Sequence, residues 1–128
     1  MLPTIKINGQ EKYFLFNLVA ICKFEESTGE SVTNTLSQGE NMPINILVKM
    51  IHEGLKEGHR KAMKESLINT EFDLQWEDVA ETLQENPEDI AEAFETLADQ
   101  VTDVTAKKKK QTFSQAKKKS LQKSTMKK

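Results

Sequence analysis

The chain opens on an alternating pattern. In "TIKINGQEKYFLF", apolar Ile5 and Ile7 alternate with polar Thr4 and Lys6, and Tyr13, Phe14, Leu15 and Phe16 supply strand-favouring side chains. Asn8-Gly9 separates the two runs. Both residue types tolerate the positive φ that a type I′ turn requires, so the segment predicts a β-hairpin.

The period then becomes helical. In "NLVAICKFEESTG", Phe14, Leu18, Ile21 and Cys22 follow helical spacing. Asn17 is placed to accept from the open N–H groups of the first turn, and Gly29 to end the helix in the left-handed conformation. "ESVTNTLSQGEN" predicts a short helical turn or loop closed by Gly39. The clearest stripe lies in "NMPINILVKMIHEGLKEG", where Ile44, Leu47, Val48, Ile51 and Leu55 share one face. Pro43 suits the first turn, where its missing N–H is no loss. Gly54 inside the stripe predicts close packing against a neighbour, and Gly58 is expected to stop the helix.

"HRKAMKESLINTEF" predicts a short helix followed by a loop. In "LQWEDVAETLQEN", Trp76, Val79, Ala80 and Leu83 fall on one face, which predicts Trp76 as core at a helix start. In "NPEDIAEAFETLADQVTDV", Asn86 is set to cap and Pro87 to take the first helical position, while Glu88 and Asp89 complement the helix dipole. Ile90, Phe94, Leu97, Val101 and Val104 then step by four, three, four and three. That stripe suits core packing and equally suits pairing with a second copy. Residues 1–105 thus predict one α+β, mainly helical domain, a hairpin followed by four or five helices. No solenoid-type repeat is present.

Charge changes the picture. The formal net charge of −2 hides two unlike parts: residues 1–105 carry 8 Lys+Arg against 20 Asp+Glu, net −12, and residues 106–128 carry 10 Lys and no acid, net +10. A segment of low hydrophobicity and high charge cannot offset the entropy of ordering, so 106–128 is predicted to be a disordered basic tail. The single cysteine, Cys22, excludes an internal disulfide. Its setting in "LVAICKF" predicts a buried, inert thiol. The apolar runs are too short to span a membrane, and "MLPTIKING" lacks the basic-then-apolar order of a signal peptide. The expectation is a soluble intracellular domain without a membrane partner.

Candidate chemistry is sparse. His52 and His59 are seven residues apart, with Gly58 expected to break the helix between them. Two histidines without a third ligand make a poor metal site, and surface positions are expected for both. No phosphate-binding Gly-Lys loop and no nucleophile elbow occurs. The carboxylate pairs Glu25-Glu26, Glu77-Asp78 and Glu88-Asp89 sit at helix ends or on polar faces, where capping and solvation account for them. The sequence therefore predicts no catalysis, no metal and no cofactor. Lys107, Lys108, Lys109 and Lys110 are the candidate polyanion contact, with strongly salt-dependent binding. Phe113 is the only aromatic among the lysines, so stacking platforms for single-stranded nucleic acid are few. Leu121 and Met126 give too little apolar face for a membrane-surface helix.

Three short motifs recur in a telling order: Glu25-Glu26-Ser27-Thr28-Gly29 after the Ile-x-Ile-Asn-Gly hairpin, Ile51-His52-Glu53-Gly54-Leu55 in the central helix, and Gln75-Trp76-Glu77-Asp78-Val79 opening the next. An acidic last helix follows. This order, over roughly residues 4–104, resembles the tail assembly chaperones of long-tailed bacteriophages. The resemblance implies a noncatalytic protein that binds the long helical tape measure protein, keeps it soluble and presents it for tail-tube polymerisation. It also implies self-association, action in the cytoplasm of the infected bacterium, and absence from the finished virion. The tail tube protein and a longer, frameshifted form of the chain itself are further partners it suggests. Ile90, Phe94, Leu97 and Val101 are the candidate partner contact. The codons of Lys107–Lys110 form an A-rich stretch of message, which makes them a candidate slippery site with this chain as the unshifted product. The competing expectation is a nucleic-acid-associated phage accessory protein using the lysine-rich tail as its arm.

Overall fold

The computed structural model describes residues 2–104, and the lysine-rich segment lies outside the described residues. Strands β1 (Thr4–Ile7) and β2 (Gln10–Tyr13) pair antiparallel, with Thr4 opposite Tyr13 and Ile7 opposite Gln10. Asn8 and Gly9 take φ values of 53° and 79°. The turn is therefore left-handed at both central residues, as the Asn-Gly pair predicts.

The second strand is shorter than its aromatic run. It ends at Tyr13, and Phe14–Phe16 leave the sheet to cross the central helix. Their backbone is satisfied from elsewhere: Phe14 N–H donates to Pro3 O, and Leu15 N–H donates to Gly54 O at 3.0 Å. The Gln100 side chain supplies the rest, donating through Nε2 to Phe14 O and accepting from Phe16 N–H. Phe14 and Phe16 thereby become fully buried without a third strand.

Helix α1 (Leu18–Thr28) starts at Asn17, whose Oδ1 accepts from Ala20 N–H, and stops at Gly29 with φ 74°. Helix α2 (Val32–Ser37) and a single 3-10 turn (Gly39–Asn41) follow. Helix α3 (Ile44–Lys64) is the central element. It carries Val48, Met50, Ile51, Leu55 and Ala62 into the core. Helix α4 spans Trp76–Glu85, and α5 occupies 87–104, with Ile90, Ala93, Leu97 and Val101 facing inward. The fold is the expected hairpin followed by five helices, around one core that joins β1, the Phe14–Phe16 crossing and all five helices.

Gly58 does not end α3. The helix runs through it for six more residues, to Lys64. The glycine is required by a tertiary approach instead: a Cβ there would stand 2.5 Å from the Tyr13 carbonyl. Gly54, one turn earlier, lies under the Phe14 ring, which is the close packing its position predicts. The two glycines form a notch into which the exit of β2 is laid.

Cys22 also departs from expectation, being exposed. The buried face of α1 is set by Ala20 and Phe24, and Phe24 meets Phe16 edge-on at a centroid distance of 6.4 Å. At about 100° per residue, position 22 points away from that face.

Candidate partner-binding groove

Three chain breaks bring helix ends together on one side of the molecule. Gly39, with φ 56°, closes the turn after α2. Met42 and Pro43 are extended, so α3 begins afresh at Ile44. Asn86 leaves helical geometry at φ −138°, and Pro87 restarts the chain as α5. Asn86 accepts through its backbone carbonyl from Asp89 N–H at 2.9 Å, so the main chain makes the bond here.

These ends enclose an open apolar groove of about 560 Å³. Met42, Ile44 and Leu47 form one wall, Pro87, Ile90, Ala91 and Phe94 the other, and Leu83 closes the end of α4. Ile44 is 67% exposed, the most exposed large apolar side chain among the described residues. Glu40 is the single charged side chain in the lining. The α4–α5 side is acidic in sequence, whereas α3 also carries Lys49. Residues 65–104, which include α4 and α5, carry 13 Asp+Glu and no Lys or Arg.

The four candidate contact residues divide. Ile90 and Phe94 meet in the groove, with Ile90 buried at its base and Phe94 half-buried. Leu97 and Val101 are buried in the core of the same chain. Val101 and Val104 border a smaller cleft of about 290 Å³ against Leu18, Ile21 and Cys22 of α1. Lys107–Lys110 lie outside the described residues. Met42, Ile44, Leu83 and Pro87 join the groove without having been singled out by sequence for contact. The available signal was Ile44 itself: it belongs to the α3 stripe but stands in the first turn, beyond the elements that cover the rest.

Trp76 is 52% exposed and is not core. The buried face of α4 begins one turn later, at Val79 and Thr82, and leaves the first residue about half exposed. Thr82 is held beneath the hairpin turn, its hydroxyl 2.9 Å from both Asn8 Oδ1 and Asp78 O.

His52 and His59 do share a face, because α3 is continuous. Each donates Nε2–H to a main-chain carbonyl of the segment joining α3 to α4: His52 to Leu74 O at 2.8 Å and His59 to Thr70 O at 2.6 Å. The Phe72 ring sits between them, with centroids 5.7 and 5.3 Å away. The pair is a strap for that segment. Among the described residues, no group of three or more His, Cys, Asp or Glu side chains is placed to hold a metal ion.

Glu57 is the buried charge of α3. Burial pushes its carboxyl up, but hydrogen bonds from Arg60 and Asn17, with the charges of Arg60 and Lys23, outweigh this and hold it below its ordinary value. Arg60 binds both carboxylate oxygens at 2.8 Å and is itself raised by that pairing. Asn17 and Arg60 donate to Glu57, which is not among the residues lining the groove. It is a structural ion pair.

The three motifs quoted above fall where the chain turns or packs closely. Glu25 accepts from Val32 N–H at 2.9 Å and Gly29 N–H donates to Glu25 O, which makes the first motif the corner between α1 and α2. Gly54 in the second is the notch beneath Phe14. In the third, Asp78 accepts from Gln75 N–H at 2.8 Å and fixes the start of α4. No protein-family model matches the chain, and neither a curated protein nor a solved structure does. Among the described residues, no helix is long and apolar enough to cross a membrane.

Proposed function

We propose that the chain is a noncatalytic tail assembly chaperone of a long-tailed bacteriophage, binding the tape measure protein and keeping it soluble until tail-tube assembly. The ordered series of motifs across residues 4–104 carries this reading. The groove supports it physically. Tape measure proteins present long apolar helical faces before the tube covers them, and such faces aggregate. An apolar groove walled on one side by the acidic segment 65–104 suits an amphipathic helix laid in by its apolar side. Self-association multiplies weak contacts along a rod into avid binding. The proposed setting is the cytoplasm of the infected cell, with departure before the virion is complete.

Coexpression with the product of the adjacent long coiled-coil gene tests this, with pull-down and a solubility assay. The expected result is a soluble complex. A partner that is soluble alone and is not captured would overturn the reading. Abundance of the chain in purified particles would count against departure.

The lysine-rich segment favours a second reading, a nucleic-acid-associated accessory protein. Steeply salt-dependent DNA binding that disappears on truncation after Thr105 is its signature.

A further inference from the structure

We propose that the groove receives the far end of α3 from a second copy of this chain, with Met63 and Leu67 entering the hollow and Lys61 and Lys64 facing the acids of α5. The helix carries unlike surfaces at its two ends. At its start Ile44, 67% exposed, stands beside an open apolar hollow of about 560 Å³. At its finish Met63 and Leu67 are 42% and 49% exposed. Ser66 turns the chain left-handed at φ 63°, and Leu67 N–H donates to Ala62 O at 2.8 Å, which folds Leu67 back on the last turn of the helix. Basic residues there suit the negative end of the helix dipole. The dipole gives no reason for two exposed apolar side chains among them.

Charge matches the two ends. Residues 60–67 carry Arg60, Lys61 and Lys64 against Glu65. Arg60 is paired with Glu57, while Lys61 and Lys64 make no salt bridge among the described residues. On the α5 wall of the groove, Glu88 and Glu95 flank Ala91 three residues before it and four after, and both are exposed. Glu40 adds a carboxylate to the lining, and Lys49 is not part of it. An apolar end bearing lysines thus meets an apolar hollow bearing carboxylates.

Geometry requires a neighbour. Ile44 and Met63 lie nineteen residues apart on one unbroken helix, about 28 Å. The last turn cannot bend back to the first, so the chain cannot fill its own groove with this end. The two surfaces differ, so the contact is head-to-tail, and each added copy presents a fresh groove until a ring closes. An occupied groove is closed to a partner helix, so this contact belongs to the chain before it meets its partner. It rests on none of the motifs behind the chaperone reading.

Sedimentation velocity of the full chain tests this, from about 10 µM to about 1 mM, a range that brackets weak contacts. Ile44→Glu blocks the groove and Leu67→Glu the opposite end; both sites are exposed, and melting curves check that the fold is kept. The unsubstituted chain is expected to exceed the monomer mass of 14.6 kDa as concentration rises. Each variant alone is expected to associate roughly tenfold or more weakly, because a carboxylate is forced against an apolar surface. An equimolar mixture of the two retains one intact groove and one intact end, and is expected to form one-to-one dimers and nothing larger. Lys61→Glu combined with Lys64→Glu leaves the apolar residues in place and is expected to weaken association as well. A chain that stays monomeric throughout leaves the groove to another partner and overturns the proposal. So does a mixture no more associated than either variant alone. Association that survives both variants but vanishes on truncation after Thr105 would place the contact in the lysine-rich segment, and overturns it too. No tape measure protein enters the experiment, so its outcome is independent of the chaperone reading.

Discussion

Asn17 ties the start of α1 to Glu57 on α3. Its Nδ2 donates to Glu57 Oε2 at 2.8 Å while its Oδ1 accepts from Ala20 N–H at 3.1 Å. One side chain thus caps a helix and satisfies a buried carboxylate. Asn17→Ala removes both bonds. The expected loss is ~2–4 kcal/mol, from about 1 for the cap and roughly 1–3 for the carboxylate left short of a donor. Urea denaturation at pH 7 measures it. A loss no larger than that of an ordinary cap would mean that Glu57 does not need Asn17.

The same carboxylate sets a pH dependence. Its folded value lies below the ordinary 4.5, so the unfolded chain takes up the proton first as pH falls. The stability it contributes is complete above about pH 4.5 and drains away as pH drops through the lower folded value. Glu57→Gln is therefore expected to be less stable than the unsubstituted chain at pH 7, by an amount that shrinks on acidification. Melting curves of both proteins from neutral to acid pH decide this. A gap that stays constant would place the titration elsewhere.

Gly54 and Gly58 show what the sequence could and could not disclose. Signals answered by the chain's immediate neighbours were legible. Asn8-Gly9 makes its own turn, Asn17 and Gly29 bound α1, and Pro87 opens α5. Signals answered across the fold were not. Gly58 has the sequence of a helix stop, but the Tyr13 backbone fills the space above it and the helix continues. Trp76 and Cys22 have core-like neighbours, yet one precedes the covered part of its helix and the other faces away from Phe24. The groove was half legible: the stripe on α5 gave Ile90 and Phe94, but the opposite wall depends on how three helix ends converge.

Those glycines carry the next prediction. In an isolated helix, Gly→Ala gains about 1 kcal/mol. Here Gly58→Ala is expected to destabilise by roughly 1–3 kcal/mol, because its Cβ meets backbone that cannot rotate away. Gly54→Ala meets the Phe14 ring, which has more freedom to shift, and is expected to cost less. Thermal unfolding of both variants checks the order. A rise in Tm for Gly58→Ala would refute the notch.

The strap formed by His52, His59 and Phe72 holds the segment joining α3 to α4, which also packs Leu74 on the core. Phe72→Ala removes the ring that both imidazoles contact. Hydrogen exchange is expected to quicken in residues 65–75 and to stay unchanged in the middle of α3, since local opening needs less free energy than global unfolding. Equal acceleration everywhere would mean that Phe72 supports the whole core instead.

Ile44 separates the groove from the fold. Because it is 67% exposed, Ile44→Glu is expected to change stability by no more than about 0.5 kcal/mol. The same change puts a carboxylate beside Glu40 in an apolar hollow, so capture of a coexpressed tape measure protein is expected to fall at least tenfold. Trp76→Ala, at a site 52% exposed and outside the groove, serves as the control and is expected to retain capture. Truncation after Thr105 is expected to retain it as well, while abolishing any salt-dependent binding to DNA. Pull-down yields for the three variants, with melting curves beside them, make the comparison. Full capture by a folded Ile44→Glu chain would move the contact to another face. Loss of capture on truncation would assign it to the lysines and favour the polyanion reading over the groove.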